Sequence, residues 1–327
     1  MPVQNWIDVH SHYFPPMSAE EQREMVDHLR KNCWCIDHFD EWTVEKTLDH
    51  MDRLGTQMQM LSFVPNTVLK LRRSNDFGAE IVRQHPDRFG LLVGLPSDDP
   101  AVCLEEIARS ESDLDADGFA MQALYNGVYL SDPRLEPVWA ELERRKAVVF
   151  FHPNATTSAW DRPGALMEVA FQTAYVIVDM LYTGVFRRHP NIRFIVAHCG
   201  GALPAISGRL LQMGAMSWVP NPHNVTRDEV SEVLGKLFLD TAATMPTTLG
   251  AALEMTTADK IVYGSDYGVP CVDDQSIAEN IEALLAFRGL SADQIQAIGR
   301  NALNLFPKAA ARLAAGESFG DAAAGYE

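Results

Sequence analysis

The sequence predicts an α/β protein built as a single (β/α)8 TIM barrel. Eight short, almost continuously apolar runs recur along the 327 residues, and segments of helical periodicity lie between them. Strands that are nearly all apolar belong in a parallel sheet covered on both faces. No Gly-x-Gly-x-x-Gly follows the first run, which disfavours the doubly wound dinucleotide fold. Length alone fits one barrel or two domains, so the alternation decides.

The first strand is residues 5–12, "NWIDVHSH", and it stops before Pro15-Pro16. An insertion over 13–42 follows, whose piece "AEEQREMVDHLRK" is a candidate lid or oligomer contact, and then the helix "TVEKTLDHMDRLG". Strands at 57–65, 88–96 and 117–124 are followed in turn by "SNDFGAEIVRQHP", "AVCLEEIARSES" and "RLEPVWAELERRK". The fifth strand, 147–153, leads into "LMEVAFQTAYVIVDMLYTGVFRRHP", apolar nearly all round and so either deep core or a subunit contact. Strands at 192–199, 236–243 and 259–266 precede "LPAISGRLLQMGA", "TTLGAALEMTT" and "DDQSIAENIEALLAFRGL". Several of these helices end at Gly or just before Pro, as helix termini do. Residues 1–313 read as one domain and 314–327 as a frayed tail.

Composition narrows the function. With 47% hydrophobic and 22% charged residues the chain can bury a full core and a pocket. A net charge of −17 with scattered Lys and Arg argues against a nucleic-acid partner. No run approaches the ~20 apolar residues needed to cross a bilayer. Five cysteines, an odd number without a secretory leader, point to the reducing cytoplasm. The pair in "CWC" at 33–35 lacks a second pair that would make it a zinc site.

In such barrels the active site lies at the C-terminal ends of the strands. Strand one ends in His10 and His12, strand five in His152, strand six in His198 and strand eight in Asp266. Residues two apart on a strand share a face, so His10 and His12 converge. Four strands of eight ending in metal-capable groups point to a bound metal. Imidazoles with one carboxylate suit Zn2+, with Mn2+, Fe2+ or Co2+ also possible, and not Ca2+ or Mg2+. The end of strand four has no lysine to bridge two ions, so one divalent ion is expected. The other six histidines read as helix-end or turn residues, with His38 in the insertion held in reserve.

The segments "IDVHSHYFPP", "FFHP", "TGVFRRHPNIRFIVAHCGGALP" and "IVYGSDYG" together resemble the amidohydrolase-related decarboxylases. This is the group of 2-amino-3-carboxymuconate-6-semialdehyde, γ-resorcylate and 6-methylsalicylate decarboxylases. The likeness runs from residue 6 to about 306, and "YNGVYLSDPRLEPVWAELERRKAVVFFHP" most resembles the 6-methylsalicylate branch. It implies a barrel of the metal-dependent hydrolase type, a metal on His10, His12, His152 and Asp266, and His198 handling protons. It also implies a homodimer or homotetramer. Three features depart from the group: "SDYG" replaces "SDYP", Gln172 stands where a carboxylate is expected, and the substrate-anchoring arginine has only Arg30 or Lys31 as counterparts.

The expected reaction is non-oxidative decarboxylation of a small aromatic, salicylate-like, or unsaturated carboxylic acid. Catalysis falls to His198 and Asp266, of which an imidazole is the easier proton donor near neutral pH. Phe14, Tyr125, Trp160 and Tyr267 are the candidates to stack on a substrate ring. The same residues also suit hydrolysis or hydration by a metal-activated water on a lactone, amide or ring. A barrel that keeps its metal for stability or ligand binding is the non-catalytic rival.

Overall fold

In the computed structural model, which describes residues 3–154 and 160–324, eight parallel strands surround the core. They are β1 (Trp6–His12), β2 (Thr56–Ser62), β3 (Phe89–Gly94) and β4 (Gly118–Gln122), then β7 (Val148–His152), β8 (Arg193–Val196), β9 (Phe238–Asp240) and β10 (Ile261–Val262). Between β4 and β7 a two-stranded hairpin intervenes, β5 (Leu124–Tyr125) and β6 (Val128–Tyr129). Its turn is Asn126-Gly127, both at positive φ (47° and 84°), the combination a tight primed hairpin turn requires.

The sheet runs β1-β2-β3-β4-β7-β8-β9-β10. Between β10 and β1 the ring is closed by single backbone bonds: Val9 N donates to Tyr263 O (2.9 Å), Asp266 N to His10 O (2.8 Å) and His12 N to Tyr267 O (2.7 Å). The segment carrying Asp266 is thereby clamped to the backbone of both strand-one histidines.

Simple alternation fails inside β1. Ile7 and Val9 belong to the interior cluster with Met58, Leu92, Phe150 and Ile195, yet the His10 ring also lies inside, 4.9 Å from that of Phe150. The register of β1 against β2 slips between Asp8 and Ser11, and such an irregularity re-aims the side chains beyond it. Odd residues below the slip and even residues above it therefore all face inward. At the opposite end Phe306 packs against the start of β4, and Ala309 and Leu313 join the same cluster, so the barrel is filled.

The insertion over 13–42 carries the helix Ala19–Lys31, started by a capping box between Ser18 and Glu21. Phe14 ties its base to the barrel through Phe39 and Phe63, with ring centroids 5.1 and 4.6 Å away. The apolar stretch after β7 is a helix over Glu168–Tyr182, broken at Gly184 (φ 77°) before a short turn Val185–Arg188. It is not buried all round: Phe171 and Tyr175 are half exposed. The helix Arg227–Lys236, capped by Thr226, was not anticipated. Most of the stretch expected as a tail forms the end of the helix Pro307–Ala324, and residues 325–327 lie outside the described ones. No helix among the described residues is long and apolar enough to cross a membrane.

Candidate metal centre

His10 is wholly buried, and its Nδ1 lies 2.8 Å from Asp240 Oδ2 at the end of β9. A carboxylate can only accept, so Nδ1 carries the proton and Nε2 turns toward the cluster. There His10 Nε2 stands 3.2 Å from His12 Nε2, and both nitrogens are 3.0 Å from Asp266 Oδ1. His152 Nε2 is buried without a hydrogen-bond partner among the described residues. One ligand atom from each of His10, His12, His152 and Asp266 lies within 4.8 Å of the others.

These groups favour a positive charge among them. Burial opposes a charge on His10, but Asp266 and Asp240 outweigh it and push its pKa up to about 10. Burial likewise opposes ionisation of Asp266, yet the charge of His10 and hydrogen bonds from His10, His12 and His198 hold it well below the usual carboxylate range. Burial and the neighbouring imidazoles hold His152 well below its usual value, so its ring is neutral, as a metal ligand must be. Donors about 2.0–2.2 Å from a tetrahedral zinc stand roughly 3.3 Å apart. The short separations here match that, and the orphaned His152 nitrogen gains a partner. The four side chains form a site for a divalent metal.

His198 sits beside this set without joining it. It begins a short turn after β8, with His198 and Cys199 in the left-handed region (φ 53° and 54°). Its Nε2 is 3.3 Å from Asp266 Oδ2, its Nδ1 is buried without a partner among the described residues, and it borders the cavity above. Asp266 too has positive φ (62°). Three non-glycine residues, His198, Cys199 and Asp266, are thus held in the left-handed region beside the metal site.

Two carboxylates escaped the sequence reading. Asp240 holds His10 and also accepts from the backbone N–H groups of Ala242 (3.0 Å) and Cys199 (3.4 Å), so it braces both the first ligand and the His198 turn. Its signal was the acidic residue closing the apolar run "LFLD" at a strand end. Asp8, fully buried, accepts from His10 N and from Ser265 N and Oγ, tying β1 to the loop of Asp266, and burial raises its pKa to about 6.

Of the expected ring-stacking residues, Phe14 lines the cavity and the other three do not. Tyr125 is drawn under the hairpin, its hydroxyl donating to Pro65 O (3.0 Å). Tyr267 stacks on His50 at 3.9 Å, and Trp160 is 74% exposed. Neither candidate for the anchoring arginine borders the cavity: Arg30 pairs with Asp37 (2.9 Å), and both Arg30 and Lys31 are exposed. His38 is an exposed partner of Asp40. Arg73 and Lys70, on the helix Val68–Gln84, are the cationic residues that line it.

A sequence model of the amidohydrolase family matches residues 7–308. The chain belongs to this family. This amidohydrolase is 28% identical over 323 residues to a 6-methylsalicylic acid decarboxylase of Penicillium expansum, with 92% of this chain and 96% of that protein covered. It is 27% identical over 286 residues to a 2-amino-3-carboxymuconate-6-semialdehyde decarboxylase of Dictyostelium discoideum, covering 80% and 76%. A solved dihydroxybenzoic acid decarboxylase from Polaromonas sp. JS666, with bound manganese and the inhibitor 2-nitroresorcinol, shares the fold: TM-score 0.76, 21% identity, 93% of this chain and 97% of that one.

The departures from the group take physical form in this amidohydrolase. Gly268 has φ +98°, and a Cβ there would stand 2.3 Å from His12 O. Proline, fixed near −65°, cannot occupy it, so the loop after Asp266 follows its own path. Gln172 is buried, its Oε1 accepting from Asn154 N (2.5 Å). Asn154 Nδ2 in turn reaches Gln122 Oε1 (3.4 Å), so amides stand beside His152.

Asp240→Asn keeps the shape of the support while removing its charge. Partners of metal-bound histidines typically contribute 10–100-fold to metal affinity. Affinity for Zn2+, read by competition with a chromophoric chelator, is expected to drop about 10–100-fold. An unchanged affinity would show that His10 needs no such brace.

Proposed function

We propose that this amidohydrolase is a metal-dependent carboxy-lyase that removes the carboxyl group of a small aromatic acid of the salicylate type without oxidation. The observation that carries the reading is the cluster of His10, His12, His152 and Asp266 with His198 beside it. It occurs in a chain whose match to a 6-methylsalicylic acid decarboxylase runs through nearly the whole of both proteins. We assign Zn2+ as the ion, because three imidazoles and one carboxylate suit it. Mn2+ is the alternative, the ion of the solved Polaromonas relative. Gln122, not lysine, ends β4, which supports a single ion.

When bound by the four ligands, the ion supplies Lewis-acid polarisation and a template for the acid's oxygens. Asp240 keeps His10 in the tautomer that binds. The amides of Gln122 and Asn154 offer neutral hydrogen bonds beside His152, and Phe14, Phe63 and Val64 give the ring an apolar wall. His198 holds a proton at Nε2, next to the Asp266 carboxylate. It delivers that proton to the ring carbon bearing the carboxylate. The carbon–carbon bond to the carboxylate then breaks, its electron pair restores the aromatic ring, and carbon dioxide leaves. Solvent returns the proton to His198.

We further assign a homodimer, supported by the half-exposed Phe171 and Tyr175 with Met167 and Leu166 nearby. A reducing, cytoplasmic setting is supported by five free cysteines. One purified sample tests the reading. Elemental analysis is expected to give about one Zn or Mn per chain, light scattering a dimer mass, and hydroxybenzoates a release of carbon dioxide that a chelator stops. Metal without release from any acid would transfer the site to hydrolysis or hydration, and absence of metal in a folded sample would undo it.

A further inference from the structure

The cavity above the metal centre has a volume of about 1330 Å³, beyond the roughly 300–1,000 Å³ usual for small-molecule pockets. A single-ring acid held at His152 and Asp266 would leave most of it to water. Its polar groups are unevenly placed. His152, His198, Asp266, Gln122 and Asn154 gather at the barrel end, whereas the insertion contributes Met17, Met25, Leu29, Trp34 and Ile36 along with Glu21, Glu24, His28 and Asn32, with Leu166 opposite.

Those apolar side chains are only partly covered by the protein. The helix Ala19–Lys31 buries one residue, Val26, yet directs Met25 and Leu29 to the cavity. Met17, Met25 and Leu29 pack in part against the core, and polar bonds add to this: the capping box, Arg30 Nε to Ile36 O (2.8 Å) and Arg73 Nη2 to Pro16 O (2.6 Å). The part of this apolar wall that stays uncovered gains burial when an apolar group enters the cavity. Glu21 and Glu24 also line this outer part beside Lys70 and Arg73, and Arg73 pairs with Glu21 (3.6 Å).

We infer that the substrate is an aromatic acid carrying an extended apolar substituent, its carboxylate at the metal centre and its chain along Met25, Leu29, Trp34 and Ile36. The carboxylate's placement rests on the decarboxylase reading; the chain's placement rests on the cavity.

A series of 6-alkylsalicylates from methyl to heptyl, applied to the metal-loaded enzyme, tests this by calorimetric binding and, separately, by carbon dioxide release. Binding is expected to tighten roughly three- to fourfold per added methylene while the chain remains inside the cavity. Leu29→Asp and Ile36→Asp are each expected to flatten that dependence. Thermal melts and binding of the methyl compound verify that each variant folds, and Ile36 lies in a loop where a charge disturbs no helix. Affinity indifferent to chain length, with methylsalicylate still decarboxylated, would overturn the inference and leave the reaction standing. Long-chain acids bound tightly but never decarboxylated would uphold the cavity assignment and overturn the reaction. Failure of the whole series to bind would overturn both.

Discussion

Asp266→Asn is expected to strip the metal from the centre and to lower carbon dioxide release by about 10^3-fold or more. Asp266 is the only carboxylate of the four-residue cluster, with one oxygen 3.0 Å from both His10 and His12 and the other 3.3 Å from His198. Asparagine has the same shape and tolerates the left-handed backbone (φ 62°) well. The bond from residue 266 N to His10 O can therefore persist. What disappears is the negative charge that balances a dication in a buried site. Metal-ion catalysis supplies several kcal/mol of charge stabilisation, and at 1.36 kcal/mol per decade about 4 kcal/mol corresponds to 10^3-fold. Elemental analysis, steady-state rates and a thermal melt of the same preparation check the result. A folded variant with full metal and rate would remove Asp266 from the site.

The barrel was legible because its signal is repeated: each buried strand is an apolar run, and all eight expected runs contain a strand. Local exceptions were harder to see. "YNGVY" carries the Asn-Gly hairpin signature, but its strands, Leu124–Tyr125 and Val128–Tyr129, are too short to stand out as apolar runs. The helix Arg227–Lys236 is mostly polar, and only its Thr226 cap announced it. His10 and His12 converge as alternation predicts, but their facing inward together with Ile7 and Val9 depends on the register slip between Asp8 and Ser11, which alternation alone does not reveal. The five expected catalytic and metal-binding groups do meet, since strand-end position in a barrel specifies which face a residue reaches. Asp240 and Asp8 were missed because their role is to hold other groups, and a supporting carboxylate has no spacing signature. Of the aromatic candidates Phe14 lines the cavity, and the others lie elsewhere for a related reason. Loop paths decide them, and Tyr125 and Tyr267 found partners inside the protein.

The position of His198 leads to the sharpest separation between binding and chemistry. Its ring packs on those of His10 (5.0 Å) and His152 (5.4 Å), its one polar approach to a ligand is the 3.3 Å from Nε2 to Asp266, and it lies outside the four-residue cluster. His198→Asn should therefore leave about one metal per chain, with asparagine again suited to the left-handed φ of 53°. Positioned proton transfer is worth typically 10²–10⁴-fold, so kcat is expected to fall by about that factor while KM changes little. Added imidazole should restore part of the rate, because a soluble donor can enter a cavity with room to spare. A side chain that merely packed the turn would give no such rescue. Loss of metal together with rate would make His198 a fifth ligand, and an undiminished kcat would send the search for the proton donor to Asp266, the other acid at the floor of the cavity.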